Sequence, residues 1–207
     1  LDYDSTDIVP GGAGNAATNV SALGGAAASV GVAGRDETGR RLLDVMRRRV
    51  NVAAVSRPAG YRTPTKTRIL AGGVHSAKQQ VVRIDRGTRP SFSDADRRAL
   101  EVRLGRVCAR ADALLVSDYG TGMVTPAAVA RARKRLVGRG GNRPPVLVDS
   151  RYALLGFRGM TACTPNESEV EHLLGIRIGE NIKILEKAGR ELLLRTRSHA
   201  VLITRGS

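Results

Sequence analysis

With 207 residues, a net charge of +15 and 3% aromatic residues, the chain has room for one α/β domain with a sizeable core, or for most of a larger one. No stretch approaches the roughly 20 apolar residues of a membrane span and no charged-then-apolar leader opens the chain, so neither a membrane partner nor secretion is expected. Cys108 and Cys163 lack metal-ligand spacing and are expected to be buried thiols in a reducing cytoplasm.

The first chemical feature is "PGGAGNAATN" at residues 10–19, a turn of small residues and an Asn that runs into a helix over 16–23, stopped by Gly24 and Gly25. The small-residue run 26–34 reads as one buried strand. Residues 38–50 follow as an amphipathic helix, and "NVAAVS" is the next strand. "TPTKTRILAGG" and "AKQQVVRIDRG" face each other across a Gly-Gly-containing connection as a hairpin, an accessory piece at 64–86 with one side exposed. Ser93 or Asp94 caps a long helix to about 111. "ALLVSD" is a strand, and "TPAAVARARKRLV" a helix capped by Thr125 with Pro126 in its first turn. "PPVLVDS" and the shorter "MTACTP" are strands, "NESEVEHLLG" opens a helix with Glu at its start, 182–194 is a further helix, and "HAVLIT" a last strand. Strands alternating with helices predict a three-layer α/β/α sandwich around a mainly parallel sheet.

The Arg surplus lies along helix faces ("RRLLDVMRRR", "RARKRL") rather than in a tail, and there is no Trp to stack on single strands. A solvated basic surface that draws anionic substrates is expected, without a specific nucleic-acid site; a basic nucleic-acid-binding or non-catalytic sugar-binding protein is the alternative outside enzymes. Residues 12–17 also fit a dinucleotide fingerprint, with Asp36 near the place of a ribose-binding acid, so a nicotinamide-dependent oxidoreductase is a second alternative; its weakness is the lack of a strand before the glycines. Asn15 can exchange bonds with adjacent hydroxyls of a sugar, or merely cap the helix. Three strand ends, "VSDYGTG", "VDSR" and "TPNESE", carry Asp118, Asp149, Asn166 and Glu169. In an open parallel sheet these gather along one rim, where a hydrated Mg²⁺ carrying nucleotide phosphates would find its oxygen ligands.

The ordered set "GGAGNAATN", "TKTR" followed by "QQVVRID", "SDYGTG", "VDSR" and "TPNESE" resembles the ribokinase-like (PfkB) carbohydrate kinases, and within them the D-glycero-D-manno-heptose 7-phosphate kinases, the kinase half of the bifunctional ADP-heptose enzymes. The resemblance runs from Pro10 to Ser207 and implies a ribokinase-like fold with a small β lid at 64–86, ATP and Mg²⁺ as cofactors, and a sugar phosphate as substrate. It implies that Gly11, Gly12, Asn15 and Asp118 meet the sugar, with Lys66, Arg68, Gln80 and Arg83 on the lid and Asp85 beside them. Asp149, Arg151, Asn166, Glu167, Ser168 and Glu169 would meet nucleotide and metal. The lid hairpin is a candidate surface for a homodimer.

The sequence departs from the family pattern in three places. Thr121 stands where the family usually has Lys, and "VDSR" replaces the commoner Asp-Pro-Lys, which returns a cation through Arg151. The chain also stops before the family's Gly-Ala-Gly-Asp, whose Asp is the base and whose helix start binds the transferring phosphate. The first core strand is expected to be missing too, with Asp2, Asp4 and Asp7 no convincing replacement for its substrate-binding Asp. The 207 residues are therefore expected to be a partial kinase domain, catalytically incomplete alone.

Overall fold

The computed structural model describes residues 4–72, 78–87, 92–138 and 142–206. Asp2 and part of the Gly-Gly-containing connection of the hairpin lie outside the described residues.

Gly12, at φ 52° and ψ −128°, turns the chain into helix α1 (Ala13–Ala22). That conformation is open to glycine and strained for other residues, so the helix starts three positions earlier than its alanine run suggests. Asn15 consequently sits inside the first turn, and the cap position belongs to Gly12. Strands β1 (Ala27–Ala28) and β2 (Gly31–Val32) replace the single buried strand expected over 26–34, and Ala28 is exposed. Ala and Gly bury little area, so a run built from them has little to hold it flat against a core.

Asp36 accepts a bond from the Gly39 amide and starts helix α2 (Glu37–Met46), which ends before the three consecutive arginines 47–49. "NVAAVS" divides into β3 (Val50–Asn51) and β4 (Val55–Ser56). Between them the Asn51 side chain accepts from the Ala53 amide at 2.9 Å and Val55 donates to the Val52 carbonyl at 3.0 Å, a side-chain-stabilised turn that breaks the strand. β1 pairs with β3, and β2 with β4, both parallel.

β5 (Thr65–Ala71) and β6 (Gln79–Arg86) form the expected antiparallel hairpin, with a bulge between Ile69 and Leu70. The helix α3 (Asp94–Cys108) opens on a reciprocal capping box between Ser93 and Asp96 and ends three residues short of 111. β7 (Leu114–Asp118), α4 (Pro126–Arg133), β8 (Val146–Ser150), β9 (Ala162–Cys163), α5 (Glu167–Leu174), α6 (Ile182–Thr196) and β10 (Ala200–Val201) complete the chain, with Thr125 capping α4 as expected. The last strand is shorter than "HAVLIT" because Pro165 on its neighbour has no amide to donate; beyond it the Thr204 amide, to the Pro165 carbonyl at 3.0 Å, and the Glu167 amide, to the Thr204 carbonyl at 3.0 Å, resume the pairing.

These last four strands make one parallel sheet in the order β10-β9-β8-β7. Val146, Val148 and Ser150 are buried along β8 while the residues between them are half-buried, the two-residue period of a strand covered mainly on one face. Val116, Val129, Val146, Val148, Leu154, Phe157, Met160 and Cys163 form the main core. Val170, Ile178, Ala188 and Leu192 pack α5 and α6 into a second cluster. Both cysteines are buried, and burial pushes their thiols up. Among the described residues no helix is long and apolar enough to cross a membrane.

Candidate functional site

Because the four strands run parallel, their carboxyl ends open at one edge, and the loops leaving them build one surface. There Tyr119 after β7, Asp149 and Arg151 around the end of β8, Thr164 after β9, Asn166 and Glu169 at the start of α5, and Thr204 after β10 line an open cavity of about 500 Å³.

Asp118, the last residue of β7, is 4% exposed and points its oxygens into its own scaffold. The Gly120 amide donates to Oδ1 at 2.9 Å and the Ser150 hydroxyl to Oδ2 at 2.8 Å. Ser150 in turn accepts from the Ala153 amide at 3.2 Å, and the Arg151 amide donates to the Asp118 carbonyl at 3.0 Å. This network ties the ends of β7 and β8 together and fixes the turns that carry Tyr119 and Arg151. Each Asp118 oxygen thus accepts one bond from the fold and keeps a further lone pair.

Asn166 and Glu169 form a second reciprocal pair. The Glu169 amide donates to the Asn166 side chain at 2.9 Å, and the Asn166 amide to the Glu169 carboxylate at 3.0 Å. This capping box shapes the start of α5, and the Glu167 amide, donating to the Thr204 carbonyl at 3.0 Å, stitches that start to the strand after β10. The Glu167 carboxylate holds Arg205 at 2.6 Å, and Arg205 also donates to the Gly179 carbonyl. Ser168 is exposed and stands outside the cavity lining.

The electrostatics of the cavity are acidic. Burial pushes the Asp149 carboxyl up, and the neighbouring charges of Glu169 and Asp118 push it further. Burial likewise raises the Tyr119 phenol, with Asp149 and Glu169 adding to it. The helix start of α5 already holds Glu167 and Glu169 in its first turn, so its partial positive charge is spent on its own side chains. A lone anion is therefore unwelcome beside Asp149 and Glu169, whereas a divalent cation, or an anion that brings one, relieves their repulsion.

The glycine turn reaches this edge through Tyr119: a Cβ on Gly12 would stand 3.3 Å from the Tyr119 ring. Gly11, Gly12 and Asn15 are exposed beside it. The lid residues stand apart from the cavity lining. Lys66 lies opposite Asp85 and Arg68 opposite Arg83, on one face of the hairpin, with Arg83 clamping Asp85 through two bonds at 2.8 and 2.5 Å. Gln80 pairs with Leu70 beyond the bulge. Tyr119, Thr164 and Thr204 were not among the sequence candidates. An aromatic side chain between a strand end and a glycine, in a chain with four Tyr and two Phe, was a usable signal for the first; the threonines carry none.

The dinucleotide alternative loses both supports. Residues 4–11 form no strand before the glycines. Asp36 commits its carboxylate to the Gly39 amide, the Thr63 amide and the Thr63 hydroxyl at 2.9–3.0 Å. Burial alone would raise that carboxyl, but the bonds from Thr63 and Gly39 hold it below its ordinary value.

Comparison with known proteins agrees with this architecture. The chain is 36% identical over 213 residues to the bifunctional protein HldE of Geobacter sulfurreducens, covering 99% of this chain and 40% of that protein. It is 36% identical over 206 residues to the bifunctional protein HldE of Halorhodospira halophila, again with 40% of the relative covered. The chain thus spans about 40% of the length of these relatives. Among solved structures, phosphofructokinase-2 from Escherichia coli in complex with fructose-6-phosphate superposes with a TM-score of 0.69 at 19% identity, covering 95% of this chain and 62% of that one. A sugar kinase structure from Clostridium perfringens gives 0.60 at 18% identity, with 100% and 64% covered. The fold is the ribokinase-like α/β fold. Residues 4–207 match the pfkB family carbohydrate kinases, and the chain belongs to that family.

Proposed function

We propose that the protein phosphorylates a sugar phosphate at the expense of ATP, with D-glycero-D-manno-heptose 7-phosphate the first substrate to test. The observation that carries the nucleotide half of this reading is the placement of Asp149, Glu169 and Arg151 together in one cavity at the carboxyl edge of the sheet. Two hard carboxylates and a cation suit a magnesium–phosphate ion pair. Mg²⁺ keeps several waters and takes one or two protein carboxylates, so Asp149 and Glu169 are the residues that would hold it. When bound, it neutralises charge on the phosphates.

The chain's own residues supply binding and orientation. The exposed amide of Asn15 and the open backbone of Gly11 and Gly12 offer bonds to sugar hydroxyls. Lys66 and Arg68, exposed on the hairpin, offer charge to the phosphate already on the sugar. The sugar hydroxyl gives its proton to a carboxylate base, its oxygen attacks the γ-phosphorus in line, and ADP leaves. The motif resemblance assigns the base and the anion-binding helix start to a Gly-Ala-Gly-Asp segment, which residues 1–207 do not contain. The heptose assignment rests on the motif resemblance. The hairpin face of Thr67, Ile69, Val82 and Ile84, with Ile69 and Val82 exposed, supports a homodimer formed through the lid. A cytoplasmic location suits both the cofactor and the two free thiols.

The test is a coupled assay of ADP release. Sugar-dependent turnover is expected from the full-length gene product with heptose 7-phosphate and Mg²⁺. The 207-residue chain should lack it, because loss of a general base alone costs about 10²–10⁴ in rate. Robust turnover by the 207-residue chain that Asp118→Asn abolishes would show that the base is misassigned.

A further inference from the structure

The turn after β8 holds two adjacent residues that neither the core nor the capping network explains. Tyr152 is 61% exposed, although aromatic side chains are scarce in this chain. Its ring lies against the backbone of Gly120, where a Cβ would stand 2.4 Å from ring Cδ2. Gly120 has a φ of 74°, so two constraints reserve that position for glycine. The Arg151 guanidinium carbon sits 5.4 Å from the centre of the same ring, within cation–π range. Through Gly120 and the Arg151 amide, both residues are thus tied to the Asp118 network.

Arg151 is the cationic residue among those lining the cavity, and Asp149 and Glu169 line it too. Yet among the described residues its guanidinium forms no hydrogen bond and no ion pair; its side-chain contact is the ring. A guanidinium held over an aromatic face keeps the N–H groups of its edge free, in the fork that matches a phosphate bidentately. Two nearby carboxylates would otherwise draw the cation to themselves and cancel it.

We propose that Tyr152 is a positioning residue: it holds the Arg151 guanidinium by a cation–π contact, with its donors free for the terminal phosphates of a nucleoside triphosphate. This rests on the kinase reading and extends it to a residue outside the cavity lining.

The experiment uses the full-length protein and magnesium–tripolyphosphate as a probe of phosphate binding, alongside steady-state kinetics with magnesium–ATP. Tyr152→Leu should weaken tripolyphosphate binding and raise KM for ATP by about two- to fivefold, the worth of an exposed cation–π contact. The effect on KM should exceed that on kcat, and adenosine binding should not change. Tyr152→Phe keeps the ring and should restore wild-type values. Arg151→Lys keeps the charge but loses the planar guanidinium, so it should show the same selective loss even if Tyr152→Leu fails to fold. In an Arg151→Ala background, Tyr152→Leu should add nothing. Wild-type tripolyphosphate affinity in Tyr152→Leu or Arg151→Lys, or an undiminished effect of Tyr152→Leu without Arg151, overturns the proposal while leaving the kinase reading intact. A wild-type protein that neither binds tripolyphosphate nor turns over ATP overturns both.

Discussion

Residues 114–204 and residues 10–56 both pair their strands in parallel, but they hold them differently. In the first region four strands share one sheet, two apolar clusters pack against it, and a buried hydrogen bond from Ser150 to Asp118 joins two strand ends. In the second, the parallel strands come as two separate pairs of two-residue segments, and Leu23 is 90% exposed. The difference follows from composition. Val and Leu at every second position bury enough area to pin a strand, whereas Ala and Gly do not. What it teaches is a division of support: the cavity at the carboxyl ends of the strands stands on a packed sheet edge, while the glycine turn lies on thinner support.

The largest effect that could break this comparison is in the core. Leu192 on α6 is fully buried, and Leu192→Ala should cost about 2–5 kcal/mol of unfolding free energy. Leu23→Ala, at a side chain 90% exposed, should stay within about 0.5 kcal/mol. Urea unfolding of both variants checks it. Equal losses would mean that α1 packs as deeply as α6.

Next in size is the link between the two strand ends. Asp118→Ala leaves the Gly120 amide and the buried Ser150 hydroxyl without their acceptor, which should cost about 2–4 kcal/mol. Ser150→Ala removes the donor and should cost less. A thermal melt of each variant reads the order. An Asp118→Ala protein as stable as wild type but unable to bind sugar would return Asp118 to the substrate.

Much of this organisation is legible in the sequence, because the signals are local. Thr125 and Pro126, Ser93 with Asp96, and Asn166 with Glu169 mark helix starts through neighbours three or fewer residues away. The hairpin declares itself by two β-rich runs. What stays hidden depends on distant partners. Nothing local shows that Ser150 reaches back 32 residues to Asp118, or that Tyr119 backs Gly12. The single strand expected over 26–34 fails for a related reason: an apolar run reports hydrophobicity, but not whether its side chains are large enough to be held. Motif resemblance gathered the rim residues, and only packing separates the ones turned into the fold from the ones facing the cavity.

In the thinner region, Asp36 joins α2 to Thr63, and Asp36→Ala should cost about 1–2 kcal/mol at neutral pH, the worth of a strong helix cap. The sign with pH follows from its depressed ionisation. A carboxylate lowered in the folded state contributes stability above its unfolded value, roughly 3.9, and that contribution is lost as pH falls through the folded value. The gap between wild type and Asp36→Ala in urea should therefore narrow in acid below about pH 4. A gap constant down to pH 2.5 would mean that the charge of Asp36 is immaterial and only its shape matters.

The smallest effect has the opposite sign, and it distinguishes a carboxylate held for the fold from one held for a ligand. Asp149 ionises less readily than an ordinary carboxyl because burial, Glu169 and Asp118 all disfavour its charge. A group whose folded value is raised contributes stability that is complete below its unfolded value and is lost as pH rises through the folded one. At pH 7 the Asp149 charge is thus a burden on the empty protein. Asp149→Asn, which removes the charge and keeps the shape, should raise Tm by about 1–3 °C at pH 7, and the gain should vanish near pH 3. The same variant should bind magnesium–ATP more weakly, the pattern of a residue whose cost to the fold is repaid in binding. Melts at the two pH values, with and without magnesium–ATP, give both halves of the answer. If Asp149→Asn instead lowers Tm at pH 7, the carboxylate belongs with Asp118 as part of the scaffold, and the rim loses its candidate metal ligand.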